Sequence, residues 1–341
     1  MIYLDTDYMA GAHPEVMDAL NKTNLLHTPG YGEDTFTKAA KERILEACGI
    51  PEGACYFLVG GTQTNAAVID RLLSRNDGVL AADTSHINVH EAGAIEAWGH
   101  KILTLQNKNG KISATQIKNY IRDFYSDETF PHMVRPGMVY ISFPTELGTI
   151  YSRNELEEIY EVCSKYDIPL YIDGARLAYG LHAKGVDISL PELARLCDVF
   201  YIGGTKCGAL FGEAVVTKSP KLLPRFVSLM KLHGALLAKG RLLGVQFGTL
   251  FSDSLYQRIG EYGVSQAMRL KELMLNHGFR TFIDSPTNQQ FFILPNDVIE
   301  KLRENVSFEL WGAPGEKESK VRFVTSWSTP ENTVDKLESY L

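Results

Sequence analysis

A chain of 341 residues with 45% hydrophobic and 22% charged residues has the length for one large and one smaller globular domain. The net charge of −7 and the scatter of its lysines and arginines leave no basic patch for nucleic acid, and no apolar run approaches a membrane span. In chain order, residues 54–59 read as a buried strand that ends in glycines, with a helix starting near Asn65. Strands over 78–82 and 138–143, a helix over 154–166, and strands over 170–172 and 199–202 follow. Short apolar runs alternating with helical patterns predict a largely parallel sheet covered by helices. Residues 222–251 are mainly helical in pattern. Beyond them strands over 290–294, 308–311 and 321–325 punctuate helices over 262–277 and 297–304, which predicts a smaller α+β domain. The expected division is an N-terminal segment 1–20, a large α/β domain 21–240 and a small C-terminal domain 241–341.

Three of these strands end in chemistry. Asp198-Val199-Phe200-Tyr201-Ile202-Gly203-Gly204-Thr205-Lys206 stops on a single amine. Low-dielectric surroundings disfavour its ammonium form and suit Lys206 to act as a Schiff-base nucleophile, although a lysine after glycines also suits a solvated loop. Leu170-Tyr171-Ile172-Asp173-Gly174-Ala175-Arg176 ends on a carboxylate and then an arginine. In parallel α/β sheets ligands sit outside the carboxyl ends of strands, so Asp173 and Lys206 could face one crevice. A buried carboxylate needs a cationic partner, and the pyridinium nitrogen of pyridoxal 5'-phosphate would supply one while a lysine takes its aldehyde. Gly60 and Gly61 would let the backbone approach a phosphate, with the hydroxyls of Thr62 and Thr64 and a helix N-terminus beside it. Alone, that segment reads more readily as an N-capped helix after a tight turn.

Taken together these segments resemble the threonine aldolase branch of the β-eliminating lyase family, fold type I pyridoxal phosphate enzymes. Further elements carry the resemblance: Thr6-Asp7-Tyr8, Tyr31-Gly32-Glu33-Asp34, Ser85-His86-Ile87 with Glu91-Ala92-Gly93-Ala94, Gly212-Glu213-Ala214, and Val321-Arg322-Phe323-Val324. The fold implied is a large domain with a mainly parallel, seven-stranded type of sheet between helices, plus the smaller C-terminal domain. The resemblance implies that Lys206 forms the Schiff base, Asp173 pairs with the ring nitrogen and His86 stacks on the ring. Gly61, Thr62 and Thr205 would bind the phosphate. Arg176 would stand beside the cofactor and, with Arg322 and Thr6, hold the substrate α-carboxylate. Tyr31 would hydrogen-bond phosphate or substrate. Lys231 would reach the phosphate across a dimer interface, in a homodimer or homotetramer with shared sites; an exposed helix lysine is the competing reading.

Many threonine aldolases have a histidine after the strand preceding the cofactor aspartate, where this chain reads Ser142-Phe143-Pro144-Thr145-Glu146-Leu147-Gly148-Thr149. Glu146 could take the β-hydroxyl proton, or Thr145 and Glu146 could only position the turn. The activity implied is cleavage of a threonine-like β-hydroxy-α-amino acid to glycine and an aldehyde, with β-elimination or aminotransfer as the alternative. Five cysteines, Cys48, Cys55, Cys163, Cys197 and Cys207, show no paired spacing for zinc or a disulfide framework, so no metal and a reducing cytoplasm are expected. The N-terminus has no basic region before a long apolar core, so no export is expected.

Overall fold

The computed structural model describes all 341 residues. Its central layer is a seven-stranded sheet. In spatial order the strands are Ala54–Leu58, Glu213–Thr217, Val199–Gly203, Leu170–Asp173, Arg135–Ser142, Asp77–Ala82 and Lys101–Leu105. The five from Val199–Gly203 onward in that order run parallel, and Glu213–Thr217 is antiparallel to both of its neighbours. Val199–Gly203 and Leu170–Asp173 are buried at every position, as strands covered by helices on both faces must be. A second, four-stranded antiparallel sheet orders Glu309–Leu310, Glu318–Val324, Gln289–Pro295 and Arg280–Ile283. Short strand Ile2–Tyr3 pairs in parallel with Val306–Ser307, which ties the start of the chain to its C-terminal part.

Two expectations are revised. The strand expected over 308–311 is only Glu309–Leu310, and the short strand Val306–Ser307 just before it joins a different sheet. The helix expected over 262–277 is Leu255–Asn276. Gly260 and Gly263 are where the helix presses on its neighbours: a Cβ at Gly260 would meet Ala178 O at 2.3 Å, and one at Gly263 the Tyr179 ring at 2.4 Å. No helix is long and apolar enough to cross a membrane.

Register decides what the sheet presents. Ser142 and Asp173 are cross-strand neighbours at the carboxyl ends of their strands. Gly203 ends the next strand, and its N–H donates to Gly174 O at 2.9 Å. A Cβ at Gly203 would meet Ala175 O at 2.2 Å, so this crossing of the two turns requires glycine. Asp173, Arg176 and Lys206 thereby emerge at one edge of the sheet. Glu213 returns the chain to the same edge, directly opposite Gly203.

Candidate active site

That edge opens into a cavity of about 580 Å³ lined by Gly60, Gly61, Thr62, His86, Glu146, Asp173, Arg176, Thr205, Lys206 and Arg322 among others. Asp173 stands at its floor and is buried. Its Oδ2 accepts from Tyr140 Oη at 2.6 Å and Asn65 Nδ2 at 3.0 Å, and its Oδ1 from Ala175 N–H at 3.0 Å. Burial alone would raise this carboxyl, but His86 and hydrogen bonds from Tyr140, Tyr201 and Asn65 hold it below the usual range. Asp173 is therefore a fixed anion aimed into the cavity.

The Lys206 amine makes no hydrogen bond or ion pair, while its carbonyl accepts from Tyr179 Oη at 2.8 Å; its Nζ lies 5.9 Å from the Tyr8 ring centroid. Burial first, then the Arg176 guanidinium, push its amine below the ordinary value, against the opposing pull of Asp7, Asp173 and Glu213. A larger fraction of uncharged amine is what nucleophilic attack on a carbonyl needs.

His86 follows the strand Asp77–Ala82 in a short helical turn. Its Nδ1 lies 2.7 Å from Glu91 Oε1, which also accepts from Asn65 Nδ2 at 2.8 Å. Tyr171 Oη donates to Asn65 Oδ1 at 2.9 Å, which orients the amide. One chain of hydrogen bonds thus runs from His86 through Glu91 and Asn65 to Asp173. With Glu91 accepting, the Nδ1 nitrogen donates and the ring is held in one orientation. Glu146 Oε1 accepts from Ser142 Oγ at 2.6 Å and from the His86 N–H at 3.0 Å, while Oε2 is uncommitted. Burial pushes the Glu146 carboxyl up, and Asp173 adds to the rise, against lowering hydrogen bonds.

Arg176, from the strand-end edge, and Arg322, from the second sheet, supply the cavity's guanidiniums. Arg176 is paired with buried Asp7 through Nε at 2.7 Å and Nη2 at 3.0 Å, with Asn288 bracing Asp7 at 2.9 Å. Arg322 donates to Gln289 Oε1 at 3.0 Å, pairs with Glu309, and lies 4.9 Å from the Trp311 ring centroid. Its Nε is buried without a partner. Burial, then Arg176, lower its affinity for its proton. Two guanidiniums close enough to repel, one with an idle donor, make a receptor for a carboxylate.

At the far end, the helix Gly61–Leu72 starts from extended Gly60 without a side-chain cap. Thr64 N–H is the first to bond back, to Gly60 O at 3.0 Å, which leaves the N–H groups of Gly61, Thr62 and Gln63 without backbone partners. A Cβ at Gly60 would meet no protein atom within 4 Å, so the glycine leaves open space above the turn. Free N–H groups at a helix start are a phosphate cradle. A nucleophilic amine, a fixed anion and this cradle around one cavity fit pyridoxal phosphate.

Three of the expected residues lie elsewhere within one chain. Thr6 does not line the cavity, and Tyr8 does. Tyr31 is half exposed on a left-handed turn, and Lys231 Nζ stands 4.5 Å from its ring centroid, both apart from the cavity. No role was read from sequence for Glu91, Asn65, Tyr140, His90, Glu213, Gln289, Glu309 or Trp311. The motif segments containing Glu91, Asn65 and Glu213 were a signal; the others had none.

Fold and cavity define the class first: a pyridoxal phosphate enzyme of fold type I. Aspartate aminotransferase from Thermus thermophilus, 15% identical with a TM-score of 0.72 over 100% of this chain and 90% of that one, shares the fold. Within that class the chain belongs to the beta-eliminating lyase family, which matches residues 4–288. It is 36% identical to a threonine aldolase from Leishmania major, with a TM-score of 0.96 over 99% of this chain and 98% of that chain. It is also 28% identical over 337 residues to a low specificity L-threonine aldolase from a Pseudomonas species, covering 97% of this chain and 94% of that protein.

Proposed function

We propose that this protein cleaves threonine and related β-hydroxy-α-amino acids to glycine and an aldehyde. The observation that carries the reading is the pairing of Lys206 and Asp173 across one cavity, an uncommitted amine with a depressed proton affinity facing a carboxylate held ionised by its donors. Bound pyridoxal phosphate supplies an electron sink for the bond broken at the substrate α-carbon, and Asp173 would keep its ring nitrogen protonated. Lys206 holds the aldehyde; Gly60, Gly61, Thr62 and Thr205 hold the phosphate; Arg322 and Arg176 fix the substrate carboxylate. The carboxylate grip sets which α-carbon bond is broken, since orientation decides between cleavage and its competitors.

Glu146 takes the β-hydroxyl proton. Its Oε1 is anchored by Ser142 and the His86 N–H, its Oε2 is uncommitted, and a raised proton affinity suits a base that must accept from a hydroxyl. His86, oriented by Glu91, covers the ring. A second copy of the chain brings Tyr31 and Lys231 to the phosphate end; exposed Leu25, Leu26, Val227 and Leu232 in the same segments support a self-association face. Five free, buried cysteines suit a reducing compartment such as the cytoplasm.

Threonine added to the purified holoenzyme should yield acetaldehyde and glycine in equal amounts. Ammonia and a keto acid in their place would sink the aldolase reading in favour of elimination.

A further inference from the structure

Glu213 is a buried acid on the cavity wall that the reading above leaves without a task. Its Oε2 accepts from Gly204 N–H at 2.9 Å and its Oε1 from the Thr205 hydroxyl at 2.7 Å. Thr205 Oγ in turn accepts from Gly212 N–H at 3.0 Å. A hydroxyl has one proton and two lone pairs. While Thr205 spends its proton on Glu213, it has no hydrogen to offer a phosphate, whose oxygens only accept. If the carboxyl carries a proton, the bond reverses: the acid donates to Thr205 Oγ, Gly212 N–H fills the second lone pair, and the Thr205 proton is released to the cavity.

We propose that Glu213 is a positioning residue that holds a proton and thereby makes Thr205 a donor to the cofactor phosphate. The proposal rests on the pyridoxal phosphate reading of this cavity. Burial pushes the Glu213 carboxyl up to about 8, against lowering by the Thr205 and Gly204 hydrogen bonds and by Lys206, with Asp173 adding to the rise. Phosphate at this end acts in the same direction, because an anion beside a carboxyl favours its neutral form. The other titratable groups facing Glu213 are Tyr171, Tyr201, Cys207 and Tyr256, all pushed above their usual values by burial and therefore uncharged near neutrality.

Glu213→Gln freezes the protonated arrangement, its amide oxygen accepting from Gly204 and its amide nitrogen donating to Thr205. The probe is 4-deoxypyridoxine 5'-phosphate, which lacks the aldehyde and so binds without bonding to Lys206. Its Kd for full-length protein stripped of cofactor is measured at pH 6.5 and 9.5 in wild type and variant, so that the ligand's own ionisation cancels in the ratio. The Glu213→Gln protein should bind as tightly as wild type at pH 6.5 and about tenfold more tightly at pH 9.5, the worth of one hydrogen bond to a charged group. Thr205→Val should bind weakly at pH 6.5 and approach wild type at pH 9.5, a second readout should the glutamine variant not fold. Parallel profiles for wild type and both variants, or weaker binding by Glu213→Gln at pH 6.5, would overturn the role of Glu213 and leave the cofactor reading standing. Absence of probe binding to wild type at both pH values would overturn the two together.

Discussion

The two walls of the cavity are built to opposite rules. On the strand-end wall every oxygen of Asp173 is met by a donor within 3.0 Å, and those donors are themselves held, Asn65 by Tyr171 and Glu91. On the wall from the second sheet Arg322 keeps a buried Nε with no partner and spends its other donors on Gln289 and on Glu309, a residue of intermediate exposure. A resident group calls for a wall finished in advance, since preorganised dipoles need not reorient during the reaction. A ligand that comes and goes calls for idle donors, because a satisfied pair gains little from binding. The contrast fits the proposed division, with the strand-end wall for the cofactor and the second-sheet wall for the substrate.

Substitutions on the two walls should therefore fail differently. Asp173→Asn should lower kcat by roughly 10³-fold, the scale for losing one preorganised electrostatic group, while cofactor stays bound. A kcat within a few-fold of wild type would show that the finished wall is structural. Glu146→Gln, between the walls, should lower kcat by about 10²-fold with KM little changed, and the loss should shrink for a side reaction that moves no β-hydroxyl proton. An equal loss in that side reaction would make Glu146 a positioning group. Arg322→Ala should act mainly on KM, raising it by roughly tenfold or more with the cofactor retained, the worth of a charge-assisted pair. If KM is unchanged, the unfinished wall does not receive the substrate.

The smallest expected effect is a pH dependence of stability. The Glu213 carboxyl sits at about 8 in the folded chain, above its unfolded value of about 4.3. The folded state thus binds this proton more tightly, so its contribution is complete below the unfolded value and is lost as pH rises through about 8. Cofactor-free wild type should therefore lose a few degrees of Tm relative to Glu213→Gln between pH 6 and pH 9. A constant difference across that range would remove the buried proton.

The strand ends were the legible part. Residues 170–173 and 199–203 are continuous apolar runs because helices cover both faces, and their final residues had nowhere to point but the crevice. Less legible was anything fixed by long-range pairing. Tyr140 meets Asp173 across 33 residues and Asn65 meets it across 108, and neither partnership leaves a periodic trace. The Arg176 guanidinium was expected beside cofactor and substrate, and its bidentate hold by Asp7, from the start of the chain, was not foreseen. The first two turns of the helix Leu255–Asn276 were also missed, and Gly260 and Gly263 in it are where it makes close contacts with its neighbours.

Borohydride reduction of the holoenzyme, followed by peptide mass mapping, tests the central claim most directly. One pyridoxyl phosphate adduct per chain is expected, on the peptide carrying Lys206, and none in Lys206→Ala. An adduct on a different lysine, or no adduct in wild type with cofactor bound, would contradict it.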